Sequence, residues 1–425
     1  MKNQLANTVE ANRILESTII ERTQLPYPMQ YMGSKTRISE WILNASEHAT
    51  KDRRTFIDLM AGTGAVSFAA QARGFRIVAN DIQPYAAAVL KATFISDRSN
   101  IQHVLSALTS GLVLDEHIKR SKASLPKLIQ DEKDALRRAI KDGDWQEYRR
   151  FVQENTGNPA LITRNYDLFL NYYANTYFGI SQAIEIDALR RFADRLDKQL
   201  RQHVVAATIS AMTSLSSTTT HLAQYLKPNS KVGVERLARK RSSSIIQWVH
   251  DCLLRTESQP LIPGNEVWNL DYIGMLEQAS FLPDDAIAYA DPPYFKEHYS
   301  RYYHLLDTFV LYDYPELTWN QRLDDFTVGR YRSQRIRSNF GLKARVADEF
   351  NNLIRGCRSR DLPLLISYAS TSILPASKLD ELARSNGYSV KVESMPLLHS
   401  GQGQSGTRHQ VLEYLYILQP LAIAS

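Results

Sequence analysis

The chain has 425 residues, 44% of them hydrophobic and 23% charged, which excludes intrinsic disorder and points to a globular protein of two or three domains. Two cysteines, Cys252 and Cys357, cannot build a disulfide framework or a four-cysteine zinc site, so a reducing, cytoplasmic setting is expected. Fifty-one basic against 45 acidic residues leave a net charge of +6, a small bias toward a polyanionic partner.

No apolar run reaches the roughly 18 residues of a membrane span, and residues 1–21 read as too polar and too mixed in charge for a signal peptide. Residues 25–97 carry short apolar runs punctuated by glycine, the pattern of alternating strands and helices. A strand is expected over 55–60, a turn at Ala61-Gly62-Thr63-Gly64, a helix over 65–73 stopped by Gly74, and a strand over 75–79. The turn lets backbone N–H groups approach a ligand with no Cβ in the way. Ser67 stands where a dinucleotide fingerprint has its third glycine, and Asp58 lies where a phosphate would sit. A zwitterionic amino-acid tail suits that charge better than a pyrophosphate. Asp81, about 20 residues after the turn and beside Ile82, is placed to accept the hydroxyls of a ribose.

Residues 98–262 show long amphipathic patterns over 103–118, 126–141 and 186–225, with almost no strand signal, and read as a helical insertion. Residues 263–425 return to strand and helix, with buried strands expected over 286–290 and 364–368 and two long closing strands over 388–398 and 409–418. The Gly/Ser/Gln-rich stretch 400–407 reads as the hairpin loop between the last two.

The strand 286–290 runs straight into Asp291-Pro292-Pro293-Tyr294. Two prolines fix φ and remove two backbone donors, so the turn presents acceptors in a stiff frame. The Asp291 carboxylate and the Pro292 carbonyl suit the two N–H groups of a planar amine, and the Tyr294 ring suits stacking on its base. Downstream, Arg330, Arg332, Arg335 and Arg337 are interleaved with aromatics, and residues 227–241 hold a second basic run that includes Arg239, Lys240 and Arg241. Both are candidate phosphate contacts, against the ordinary reading of a solvated charged face. The tyrosine-rich stretch 298–314 is open between a loop closing over a base and a helix packed through Leu305, Leu306 and Phe309. His298, His304, His399 and His409 lack metal-ligand spacing, and no metal is expected.

With these motifs in this order, the chain resembles the amino-methylating DNA methyltransferases with a DPPY signature, specifically the adenine-N6 group in which the cofactor motif precedes the recognition domain. The resemblance extends to Gln30-Tyr31-Met32-Gly33-Ser34-Lys35 as an N-terminal cofactor segment and to Asn269-Leu270-Asp271-Tyr272 as the segment contacting the cofactor's adenine. It implies an α/β fold: a Rossmann-like methyltransferase sheet ending in an antiparallel hairpin, interrupted by a mostly helical DNA-recognition domain. It further implies S-adenosyl-L-methionine as methyl donor, an adenine flipped out of double-stranded DNA, and a cognate restriction endonuclease as a possible partner. Residues 171–179 match the family's DNA-contacting stretch only loosely, so no recognition sequence follows. Cytosine N4 is the rival target, and a catalytically silent DNA-binding protein is the rival class. Ser67 and the DPPY string speak against a nicotinamide-dependent oxidoreductase.

Overall fold

The computed structural model describes residues 25–111, 118–120, 125–156, 166–218, 221–257, 259, 261–278, 283–293, 299–322, 324–336, 338–400 and 408–422. Its centre is a seven-stranded sheet. In chain order the strands are β1 (Thr55–Asp58), β2 (Arg76–Asn80), β3 (Glu266–Trp268), β4 (Ala286–Ala290), β5 (Leu364–Ala369), β6 (Tyr388–Ser400) and β7 (Arg408–Pro420). They lie in the order β3-β2-β1-β4-β5-β7-β6. The first five are mutually parallel, and β7 runs antiparallel to both β5 and β6.

Strands β1, β4 and β5 are buried at every position, as continuous apolar runs covered on both faces should be. Period-two alternation divides their side chains. Phe56, Ile287, Tyr289 and Leu365 meet Val66, Ala69 and Ile42 on one face, while Ile57, Ala288, Leu364 and Ile366 meet Met275, Phe350 and Leu353 on the other. The sheet is therefore doubly wound. The three-residue edge strand β3, half-buried throughout, was not anticipated, because three residues are too few to show a period.

The pattern expected to continue over 186–225 is two helices, Ile180–Ala193 and Lys198–Leu215. Asp197 separates them by accepting hydrogen bonds from the Gln199 and Leu200 N–H groups as an N-cap. Helices Lys198–Leu215 and Ile245–Thr256 share one apolar core with the sheet-covering helix Pro84–Phe94. Helices Pro126–Arg137, Trp145–Asn155 and Lys231–Arg241 gather around a smaller core of their own. In the tyrosine-rich stretch, Leu305, Leu306 and Phe309 are fully buried on helix His304–Leu311. Tyr303 is equally buried, with its ring 5.1 Å from that of Tyr31, so this part of the stretch is core. His298 and the hairpin loop 401–407 lie outside the described residues.

Candidate active site

The strand order reverses between β1 and β4, and in open α/β sheets ligands bind beyond the carboxyl ends of the strands at such a point. Three acids converge there. Asp58 ends β1, Asp81 follows β2, and Asp291 follows β4, whose Tyr289 pairs with Asp58. Buried Asn80 ties the strand ends together. Its Nδ2 donates to the Leu59 and Leu270 carbonyls, each at 3.0 Å, and its Oδ1 accepts from the Leu270 N–H at 3.0 Å.

The glycine turn is shaped by left-handed backbone at Gly62 (φ 54°) and Gly64 (φ 79°). A Cβ on Gly62 would lie 3.0 Å from the Tyr31 hydroxyl, and one on Gly64 would lie 2.8 Å from Leu90. The Gly62 N–H donates to Asp81 Oδ2 and the Gln83 N–H to Asp81 Oδ1, both at 2.8 Å. Both Asp81 oxygens thus hold the turn, with one lone pair on each left for a ligand. Burial pushes the Asp81 carboxyl up to about 6, against the pull of those two N–H groups.

Ser67 has a role that its failure to be glycine concealed. Its hydroxyl donates to Asp58 Oδ2 at 2.7 Å, while Asp58 Oδ1 is buried with no hydrogen-bond partner among the described residues. Burial pushes Asp58 from 3.8 up to about 7, with Ser67 opposing and the nearby Asp291 and Asp81 adding to the rise. The folded chain therefore binds more protons than the unfolded chain between about pH 4 and about 7, and this group's contribution to stability falls as pH rises through that window. Thermal melts of Asp58→Asn should show a weaker decline with pH than the unaltered protein over this range. Identical slopes would remove Asp58 as the source.

At the mouth of β4, the ammonium of buried Lys35 lies 3.0 Å from Asp291 Oδ1 and 3.1 Å from Glu413 Oε1. Burial raises the Asp291 carboxyl to about 6, Lys35 pulling it down and Glu413 pushing it up. Glu413 was not singled out from the sequence. The signal was present: period two puts it on the same face of β7 as Leu415 and Ile417, both buried apolar residues.

These groups enclose a cavity of about 240 Å³. Of the expected cofactor residues, Tyr31, Gly33, Lys35, Asp58, Ala61 and Gly62 line it from the first half of the motif set. Asp81, Ile82, Asp271, Tyr272 and Asp291 line it from the second. Met32 stands behind, its N–H donating to the Tyr303 hydroxyl at 2.6 Å, and Gly64 caps helix Ala65–Ala72. Pro293 lines the cavity beside Asp291, Pro292 is the buried link between them, and Tyr294 lies outside the described residues.

Gln83, Ser300 and the segment Ser338-Asn339-Phe340-Gly341 also line the cavity without having been expected. Glu349 organises that wall. It accepts from the Tyr272 hydroxyl at 2.7 Å and from Asn339 Nδ2 at 2.8 Å. No sequence signal connects Tyr272 to Glu349, since helices Tyr272–Gln278 and Val346–Arg358 become neighbours only when both pack on the same face of the sheet.

The basic residues divide. Arg330 is buried, donating to the Tyr172 carbonyl at 2.6 Å, and Arg332 is buried with a two-point ion pair to Asp313, at 2.6 and 3.3 Å. Arg241 is 3% exposed and donates to Asn175 Oδ1 and the Thr176 carbonyl, each at 2.7 Å. These three guanidinium groups are engaged with groups of the protein itself. The same holds for residues 171–179, of which Tyr173, Asn175, Thr176, Tyr177 and Phe178 are buried. Lys240 is half-buried and donates to the Ser216 carbonyl at 2.7 Å, and Arg335 lies 5.1 Å above the Tyr331 ring. Arg239 is exposed, and Arg337 lies outside the described residues.

Among the described residues no group of three or more His, Cys, Asp or Glu could hold a metal ion, and no helix is long and apolar enough to cross a membrane. The Type II methyltransferase M.FokI of Planomicrobium okeanokoites is 23% identical over 405 residues, covering 92% of this chain and 52% of its own length. Modification methylase LlaI of Lactococcus lactis subsp. lactis is 23% identical over 365 residues, 84% of this chain and 48% of its own length. The Type II methyltransferase M.NlaIII of Neisseria lactamica is 22% identical over 406 residues, 92% of this chain and 99% of its own length. The chain thus spans about half the length of the first two relatives and nearly all of the third. The family model for the D12 class N6 adenine-specific DNA methyltransferases matches residues 31–356, with the glycine turn, the four cavity aspartates and the Asp291-Pro292-Pro293 corner all inside that span, and the chain belongs to this family.

Proposed function

We propose that this chain transfers a methyl group from S-adenosyl-L-methionine to the exocyclic N6 of an adenine flipped out of double-stranded DNA, at one sequence. The observation that carries the reading is the charge of the cavity. Among its described lining residues are five acids, Asp58, Asp81, Asp271, Asp291 and Glu349, and one base, Lys35. Such a site repels a pyrophosphate and suits a cofactor with a sulfonium and an ammonium. The unpartnered Asp58 Oδ1 fits the ammonium, the free lone pairs of Asp81 fit ribose hydroxyls, and Asp271 with Tyr272 fits the adenine end.

The bound cofactor supplies an electrophilic methyl group and a neutral thioether leaving group. The protein's work is to make a poor nucleophile attack. The lone pair of an exocyclic amine is delocalised into its ring. The Asp291 carboxylate and the Pro292 carbonyl, accepting its two N–H groups, favour a pyramidal nitrogen and stabilise the positive charge that builds on it. The proline pair fixes those acceptors before the base arrives, and Tyr294 is assigned to stack on it. Both cysteines are free and buried away from the cavity, which agrees with direct transfer and no covalent enzyme intermediate.

The proposal extends to a cytoplasmic setting and a cognate restriction endonuclease, supported by the Type II and modification names of the relatives. On the DNA side it rests on exposed Arg239 and its chain neighbour Lys240, with Arg335 and Arg337 assigned to the same role. Arg239→Glu should weaken DNA binding and reduce the slope of log affinity against log salt by about one. An unchanged slope would take Arg239 off the interface. Modified-base sequencing of DNA from cells expressing the protein tests the whole reading. N6-methyladenine at a single sequence is expected, and N4-methylcytosine, or no modification, would overturn it.

A further inference from the structure

We infer that Glu413 is a positioning residue for Asp291, acting through Lys35 from the sheet's antiparallel strand β7. The consequence for turnover rests on the methyl-transfer reading above; the positioning itself does not. Glu413 pairs across the sheet with Ala369 of β5 and Met395 of β6 and is 1% exposed. A carboxylate so deep in a sheet persists only when its charge is met. Lys35 meets it, and the same ammonium meets Asp291, at 3.1 and 3.0 Å.

One cation is thus shared between a carboxylate facing the cavity and one that does not line it. The sharing has two consequences. A lysine side chain is a flexible four-carbon stem carrying three donors, and a second fixed acceptor sets its direction. Held from behind by Glu413, Lys35 engages Asp291 at Oδ1, while the Asp291 side chain keeps 20% exposure at the cavity. With Glu413 uncharged, Lys35 turns further toward Asp291 and competes with the incoming amine for its oxygens.

The second consequence is electrostatic. The charged and titratable groups facing Asp291 are Lys35, Glu413, Asp58 of β1 and Tyr289 of β4. Lys35 favours the carboxylate, while Glu413 and Asp58 oppose it. Removing the charge of Glu413 removes one opponent and frees the cation, so Asp291 should ionise at lower pH. A Glu413 that acted on Asp291 by its charge alone would shift the titration equally with Lys35 present or absent.

The test uses the full-length protein carrying carbon-13 at its aspartate carboxyls, with Asp291→Asn identifying the Asp291 resonance. Glu413→Gln keeps the volume and removes the charge. Its Asp291 midpoint should fall by about one pH unit, and the acid limb of the kcat profile for labelled methyl transfer should follow. A midpoint that stays in place, even with a lower melting temperature, overturns the inference. If Glu413→Gln does not fold, Glu413→Asp, which draws the carboxylate back from Lys35, replaces it, and an unmoved midpoint again overturns the inference. Lys35→Met compared with Lys35→Met/Glu413→Gln checks the route: without the ammonium the second change should move the midpoint much less, and an equal fall overturns action through Lys35. If the midpoint moves but the unaltered protein methylates no DNA, the positioning role stands and the proposed activity falls.

Discussion

Asp291→Ala should lower methyl transfer to DNA by about 10³-fold or more while leaving cofactor affinity within a few-fold of the unaltered protein. The magnitude follows from removing a preorganised charge aimed at the atom where positive charge develops, an effect worth roughly 10²–10³ for a single polar group, with loss of amine positioning added. The selectivity follows from geometry. Asp291 lies at the β4 end of a cavity whose other walls come from Asp58, Asp81, Asp271 and Tyr272, on different strand ends and a different helix. The fold should survive, because Lys35 keeps Glu413 at 3.1 Å and is not left as an uncompensated buried charge. Equilibrium binding of labelled S-adenosyl-L-methionine and transfer of its methyl group to plasmid DNA, measured on the same preparation, check both halves. Substantial turnover in the variant would remove Asp291 from the chemistry, and loss of cofactor binding would make it a cofactor ligand first.

Arg241→Ala should destabilise the protein by about 3 kcal/mol and lower its melting temperature by several degrees, whatever it does to DNA binding. In the last turn of helix Lys231–Arg241, the guanidinium donates to Asn175 Oδ1, the Thr176 carbonyl, Ser217 Oγ at 3.3 Å and the Tyr148 hydroxyl at 3.4 Å. Truncation strands these acceptors in a buried setting, and an unmet buried polar group costs the full price of its desolvation. Arg239, two residues earlier and exposed, provides the control: Arg239→Ala should stay within about 0.5 kcal/mol. A melting temperature unchanged in Arg241→Ala but a weakened DNA complex would reverse the assignment and make Arg241 a phosphate contact.

The contrast between these arginines marks a limit of one-dimensional reading. Arg239, Lys240 and Arg241 are consecutive and look alike as a basic run, yet helical geometry turns them about 100° apart, so one faces solvent and another faces the core. Arg330 and Arg332, outside any helix, are both buried. Their partners, the Tyr172 carbonyl and Asp313, are 158 and 19 residues away and cannot be paired with them by spacing.

Motifs built on backbone rules fared differently. The glycine turn needed positive φ at Gly62 and Gly64 and has it. The apolar run 286–290 needed cover on both faces and lies fully buried in the sheet centre. The closing strands run a few residues past their expected ends as β6 and β7, because a hairpin ladder extends as far as both chains stay paired.

Local residue chemistry alone was sufficient for the strand and helix alternation, the stiff acceptor corner at Asp291 and the order of the acids along the chain, since each depends on neighbours within one turn or one strand. Tertiary structure alone decided which charges meet. It brought Asp291 and Glu413 within 3.1 Å of the Lys35 ammonium from three distant segments, closed the cavity wall with Glu349, and turned Arg241 and Arg332 inward. The physical reason is that a charge is assigned by its surroundings: the same guanidinium is a phosphate ligand in water and a structural pin when buried, and only the packed fold says which side of that boundary it occupies.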